Sequence, residues 1–134
     1  MTIEAIESGF KEKVCKSIRL SDEGLQRYRV FTPFLFDDAD HFCIVLKRRG
    51  EQWVLSDEGH TFMHLTYDID EKDLQQGTRA KIIANTLAQF GVEDNEGELV
   101  MEICDEQYGN ALYSFIQAID KLASEKGFSY DSGG

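Results

Sequence analysis

The chain has 134 residues, 42% of them hydrophobic and 29% charged, and a formal net charge of −11. That length suits one domain with a real core, and no run approaches the roughly 18 apolar residues that a membrane span requires. The acidic balance argues against direct binding of DNA or RNA, because phosphates are recognised by basic surfaces.

Taken in chain order, Ile3, Ile6, Phe10, Val14 and Ile18 fall at helical spacing and predict an amphipathic helix over residues 3–18. Lys11, Lys13, Lys16 and Arg19 gather towards its end, where cations suit the helix dipole. The opening MTIEAIESGFKEKV lacks the apolar core of a signal peptide, so a cytoplasmic protein is expected. Ser21 to Gly24 turns the chain. Arg27 to Phe36 reads as a strand with Val30, Thr32, Phe34 and Phe36 on one side and Phe31, Pro33 and Leu35 on the other. Pro33 lacks an N–H, which predicts an edge strand or a bulge. Asp37 to Asp40 is a turn.

His41 to Arg48 is the next strand, and its unbroken apolar run from Phe42 to Leu46 places it centrally, covered on both faces. Arg49-Gly50-Glu51 closes a hairpin and Gln52 to Leu55 returns. A short helix is expected from His60 to Leu65, then a polar loop from Tyr67 to Gln76. Thr78 is positioned to cap a helix that ends at Gly91. Leu99 to Cys104 alternates as a strand and has a short partner near Val92. Asp105 is positioned to cap a long last helix that stops at Gly127, with Tyr108, Leu112, Phe115, Ile119 and Leu122 inward. The order α-β-β-β-α-α-β-α predicts an α+β domain over residues 1–127. Its antiparallel sheet has three to five strands, flanked by an N-terminal helix, a central helix pair and a long C-terminal helix. Residues 128–134 form a flexible tail. Leu-Ser-Asp-Glu-Gly occurs twice, at 20–24 and 55–59, and reads as two similar turns.

Four groups of residues invite a chemical reading. Ser56-Asp57-Glu58-Gly59-His60 brings two carboxylates to a strand end, where a rigid sheet positions side chains; helix capping by Ser56 or Asp57 is the favoured reading, since no partner motif accompanies them. His60 and His64 lie one helical turn apart, at metal-ligand spacing, with Asp57 a possible third ligand. Thr61 stands where a zinc protease needs its glutamate, and the packing of Phe62, Met63 and Leu65 favours a structural role. Lys47, Arg48 and Arg49 sit beside Arg27 and Arg29 on the neighbouring strand and suggest a small positive patch. Residues 93–106 hold seven acidic residues and no basic ones, with Glu98 and Glu102 on one strand face. Cys15, Cys43 and Cys104 are odd in number and far apart, which fits buried thiols rather than disulfides or a zinc finger. No nucleophile-and-base motif or phosphate loop is present.

The segments Phe31-Thr-Pro-Phe-Leu-Phe-Asp-Asp, Ile44-Val-Leu-Lys and Trp53-Val-Leu-Ser-Asp-Glu-Gly-His-Thr resemble, in order, family 1828 of the domains of unknown function. Ser56 stands where that family commonly has Thr, whereas Asp57 and Gly59 match. The resemblance runs mainly over residues 28–66 and implies bacterial, phage or mobile-element proteins, hence the cytoplasm of a bacterial host cell. It brings no activity, cofactor or catalytic residue. The expectation is a small acidic interaction protein, more readily a binder than an enzyme. Its sharpest form is a nucleic-acid mimic, an anti-CRISPR or anti-restriction inhibitor, that presents Asp68, Asp70, Glu71, Asp73, Glu93, Asp94, Glu96, Glu98 and Glu102 to a basic groove. Its partner would be a basic nucleic-acid-binding protein complex, without direct nucleic-acid or membrane contact, and the chain itself a monomer or homodimer. The competing readings are a metal-dependent domain using Asp57, His60 and His64, and a regulatory dimerisation module.

Overall fold

The computed structural model describes residues 2–35, 41–66 and 77–132 of the chain. Helix α1 (Ile3–Lys13) starts behind Thr2, whose hydroxyl accepts the Ala5 N–H at 3.1 Å, and it buries Ile6 and Phe10. It stops at Lys13, so the apolar stripe predicted to Ile18 outlasts the helix, and Ile18 is buried in the connector instead. Strand β1 (Arg19–Asp22) follows and pairs with β2 (Arg27–Phe31). Four residues with a single apolar side chain show no strand period, so this strand replaces the helix end and turn expected at residues 19–22.

Strands β3 (Ile44–Arg49) and β4 (Gln52–Ser56) form the expected hairpin. Helix α2 (His60–Leu65) leads off from it, α3 spans Gly77–Phe90, and β5 (Glu93–Asn95) turns into β6 (Glu98–Glu102) before α4 (Tyr108–Ser132). Thr78 lies inside the first turn of α3 rather than at its cap. Gln107, not Asp105, directly precedes α4, and its carbonyl accepts the Ala111 N–H at 3.0 Å. Asp105 instead holds a left-handed backbone, φ 52°. The last helix continues through Gly127 to Ser132; an interior glycine costs a helix about 1 kcal/mol but does not break it.

The six strands form one antiparallel sheet in the order β1-β2-β3-β4-β6-β5, so the domain is α+β with the predicted element order and one more strand than the upper expectation. β3 and β4 are central, and for β3 this is the position that its unbroken apolar run predicts. β2 lies between β1 and β3 and is not an edge, because Pro33 falls two residues beyond its end. Side chains alternate across strands, and one row of partners, Tyr28, Leu46, Leu55 and Met101, runs across the sheet on the helix side. With Ile44, Leu99, Phe10, Leu112, Phe115 and Ile119 it belongs to a single core.

Helix α4 is the centre of the helical layer and touches α1, α2, α3, β4 and β6. Its approach to α1 is close: a Cβ on Gly109 would collide with the Gly9 carbonyl oxygen and lie 2.6 Å from Lys13 Cβ. Among the described residues no helix is long and apolar enough to cross a membrane.

Candidate functional site

The alternation that sends one row into the core sends its neighbours to the opposite face. There the cross-strand partners are Arg29, Val45, Ser56 and Val100 in one row, and Arg27, Lys47, Val54 and Glu102 in the next. Val45, Val54 and Val100 are buried yet stand outside the helix-side core. Val54 has Lys47 on one side and Glu102 on the other, so the aliphatic stems of charged residues shield this face. This accounts for the unbroken apolar run of β3: one set of its side chains meets helices and the other meets stems.

Above the valines the charged heads form a lattice of ion pairs in two groups. Glu23 bridges Arg27 Nε at 2.9 Å and Arg29 Nε at 3.0 Å. Arg27 then reaches Glu58 through both terminal nitrogens, a two-pronged carboxylate contact. Lys47 Nζ lies 3.7 Å from Glu58 and 2.9 Å from Glu98. Glu98 also accepts from the Ser56 hydroxyl. Nearer the β5 edge, Arg49 pairs with Glu102 at 2.9 Å and Glu93 at 3.7 Å. Hydrogen bonds from Arg29 and Arg27 hold the Glu23 carboxyl below its ordinary range. Arg27 does the same for Glu58, and Lys47 with Ser56 for Glu98. Arg27 is raised in turn, chiefly by Glu58.

The two Leu-Ser-Asp-Glu-Gly segments meet in this lattice. In each, the aspartate side chain accepts the glycine N–H two residues on, Asp22 from Gly24 at 2.7 Å and Asp57 from Gly59 at 2.9 Å. In each, the glycine takes a left-handed φ, +84° and +82°. The glutamates of the two copies, Glu23 and Glu58, grip the same guanidinium of Arg27 from either side. No catalytic or metal motif pointed to this clamp; the repeated pentapeptide was its one signal in the sequence.

The corner itself is structural. Asp57 is fully buried, and its Oδ1 accepts the N–H of Leu99 as well as that of Gly59, while Oδ2 accepts the Thr61 N–H at 3.0 Å. Its backbone N–H reaches the Leu99 carbonyl at 3.1 Å. Asp57 thus joins β4, β6 and α2, and both oxygens that the metal reading needs are already engaged. His60 Nδ1 lies 3.1 Å from the Asp57 carbonyl and His64 is buried. Among the described residues no group of three or more His, Cys, Asp or Glu side chains is placed to hold a metal ion. Glu58 sits at φ 53°, in the left-handed region, which turns its carboxylate out of the corner towards Arg27.

The predicted acidic surface is in part this lattice. Glu93, Glu98 and Glu102 are ion-paired with Arg49, Lys47 and Arg49 respectively. Asp94 accepts the Gly97 N–H at 2.8 Å in the β5–β6 turn, and Glu96 is exposed there. Asp68, Asp70, Glu71 and Asp73 lie outside the described residues. The predicted basic patch and the acidic strand are therefore one mutually neutralising surface. Arg48 leaves it for the other face, where it lies 5.2 Å over the Trp53 ring.

A protein family described as "Domain of unknown function DUF1828" matches residues 32–122, well over half of the chain. No curated protein and no solved structure matches.

Proposed function

Because the chain belongs to the DUF1828 family, a domain of unknown function, we propose its role from its own residues: it is a non-enzymatic interaction protein of phage or mobile-element type whose open sheet face and β5–β6 turn dock a basic protein partner. The partner that fits is a nucleic-acid-binding machine of a bacterial host, which would make the chain an inhibitor of the anti-restriction or anti-CRISPR kind.

The observation that carries this reading is the set of rigidly spaced carboxylates at one end of the open face. Glu98 and Glu102 stand on the same side of β6, and Glu93 lies across from them on β5. Asp94 and Glu96 add negative charge at the turn without a cation partner among the described residues. The pairing with Lys47 and Arg49 orients the strand carboxylates rather than exhausting them, since a carboxylate offers about four acceptor sites. A groove lined with arginine would find them already positioned, which favours fast, salt-sensitive association. With a net charge of −11 on 134 residues, long-range attraction acts in the same direction.

Affinity purification from a bacterial lysate, with the captured protein identified by mass spectrometry, supplies the partner. Binding to it should weaken steeply with salt and be lost in Glu98→Lys plus Glu102→Lys. Glu96→Lys, which leaves the lattice intact, should weaken it about tenfold. Undiminished binding by a folded double variant removes this surface from the proposal.

A further inference from the structure

Beyond the lattice, towards β1, the open face ends in a cavity of about 450 Å³ lined by Arg19, Arg29, Phe31, Pro33, Phe42 and Cys43, with Ser17 and Thr32 among their neighbours. Its origin is local. The ladder between β2 and β3 stops at the Val30–Ile44 pair. Pairing resumes farther on, where Phe42 N–H reaches the Phe34 carbonyl at 3.1 Å and Leu35 bridges His41. Between these two points lies Pro33, which has no N–H to offer. The chains are pinned above and below it and part between, and the gap is the cavity.

Its walls are mostly apolar. Phe31 remains 47% exposed beside it, an unusual position for so large a side chain on a sheet otherwise covered by charges. Burial raises the Cys43 thiol above its ordinary range, so this wall is neutral. The two guanidiniums differ. Arg29 is held by Glu23 at 3.0 Å and lies 3.8 Å from Cys43 Sγ. Arg27, Lys47 and Arg49 likewise all have carboxylate partners. Arg19, on the edge strand β1 at the cavity rim, has no carboxylate partner among the described residues. Among the described residues, the cavity is thus where an apolar pocket on this face meets a cation without a carboxylate partner.

We infer that this cavity binds a carboxylate with an apolar body, the body packed against Phe31, Pro33 and Phe42 and the carboxylate taken by the Arg19 guanidinium. The volume lies within the range of small-molecule sites, and the planar guanidinium suits a carboxylate through two parallel hydrogen bonds. Such a group is supplied by a free aliphatic acid or by the C-terminal residue of a peptide. The site is separate from the β5–β6 end and does not depend on the proposed partner.

The probe is 8-anilinonaphthalene-1-sulfonate, an apolar ring system with one anionic group, titrated into the full chain and followed by fluorescence. Saturable binding at one site is expected, about tenfold weaker in Arg19→Ala and only partly restored in Arg19→Lys, which keeps the charge but not the planar fork. Binding of the uncharged N-phenyl-1-naphthylamine should be unchanged in Arg19→Ala and weakened in Phe31→Ser. Circular dichroism melting of each variant separates loss of the site from loss of the fold. Displacement of the probe by octanoate assigns a free acid, and displacement by N-acetyl-leucyl-phenylalanine assigns a chain terminus. Displacement by neither, or anionic binding indifferent to Arg19→Ala, overturns the inference.

Discussion

Asp57 shows how a residue with the look of a catalytic acid serves the fold. Three backbone N–H groups, from Gly59, Thr61 and Leu99, converge on one buried carboxylate. Removing it would leave three donors unpaired, those of Thr61 and Leu99 in buried positions, and each unsatisfied buried donor costs about 1–3 kcal/mol. Asp57→Ala should therefore lower the unfolding free energy by about 3 kcal/mol or more, measured by urea denaturation. Asp57→Asn, which keeps one acceptor oxygen, should lose less. An Asp57→Ala variant as stable as the parent would contradict this structural assignment. The neighbouring Glu58 has the opposite character: its side chain is 26% exposed, held by Arg27 and Lys47, and its strained φ of 53° points it into the lattice.

At the scale of elements, the crossing of α1 and α4 rests on two glycines that are not equivalent. A Cβ on Gly9 would find its nearest neighbour, the Gly109 nitrogen, at 3.7 Å, an ordinary contact, whereas a Cβ on Gly109 strikes the α1 backbone. Gly9→Ala should raise stability by about 0.5–1 kcal/mol through helix propensity. Gly109→Ala should lower it by about 2 kcal/mol through forced separation of the helices. Equal effects in thermal or urea unfolding would mean that the crossing is looser than described. Element type was legible wherever a period is long: the α4 stripe from Tyr108 to Leu122 is wholly buried, and β3 lies at the sheet centre. It failed at β1, too short to show a period, and at the caps, where Thr78 and Asp105 have suitable side chains but the chain enters the helices elsewhere. The lattice was half legible. The basic strand ends and the acidic β6 could each be read from composition, but β4 pairs with β6 across α2 and α3, and only that non-local pairing brings Lys47 to Glu98.

At the scale of the whole molecule, the lattice sets a direction for pH dependence. The carboxyls of Glu23, Glu58 and Glu98 are all held below the ordinary glutamate value of 4.5 by their cationic partners. A carboxylate with a depressed folded pKa contributes stability that is present above its unfolded pKa and is lost as pH falls through the folded one. The urea midpoint should thus hold steady above the ordinary glutamate range and fall below it, with a shallower fall in Glu58→Gln. A parent and variant with superimposable acid limbs would show that the Arg27–Glu58 contact is too solvated to matter. The lattice also has a meaning for how the chain finds its sheet. Its members come from β2, β3, β5, β6, the β1–β2 turn and the corner after β4, so no one hairpin completes it. A slip of one residue between β3 and β4 would turn Lys47 and Arg49 into the apolar side, away from Glu58, Glu98 and Glu102. The outer surface thereby proofreads strand registry: a mispaired sheet could still collapse around its core, yet it would carry a row of unmatched charges that only the native pairing silences.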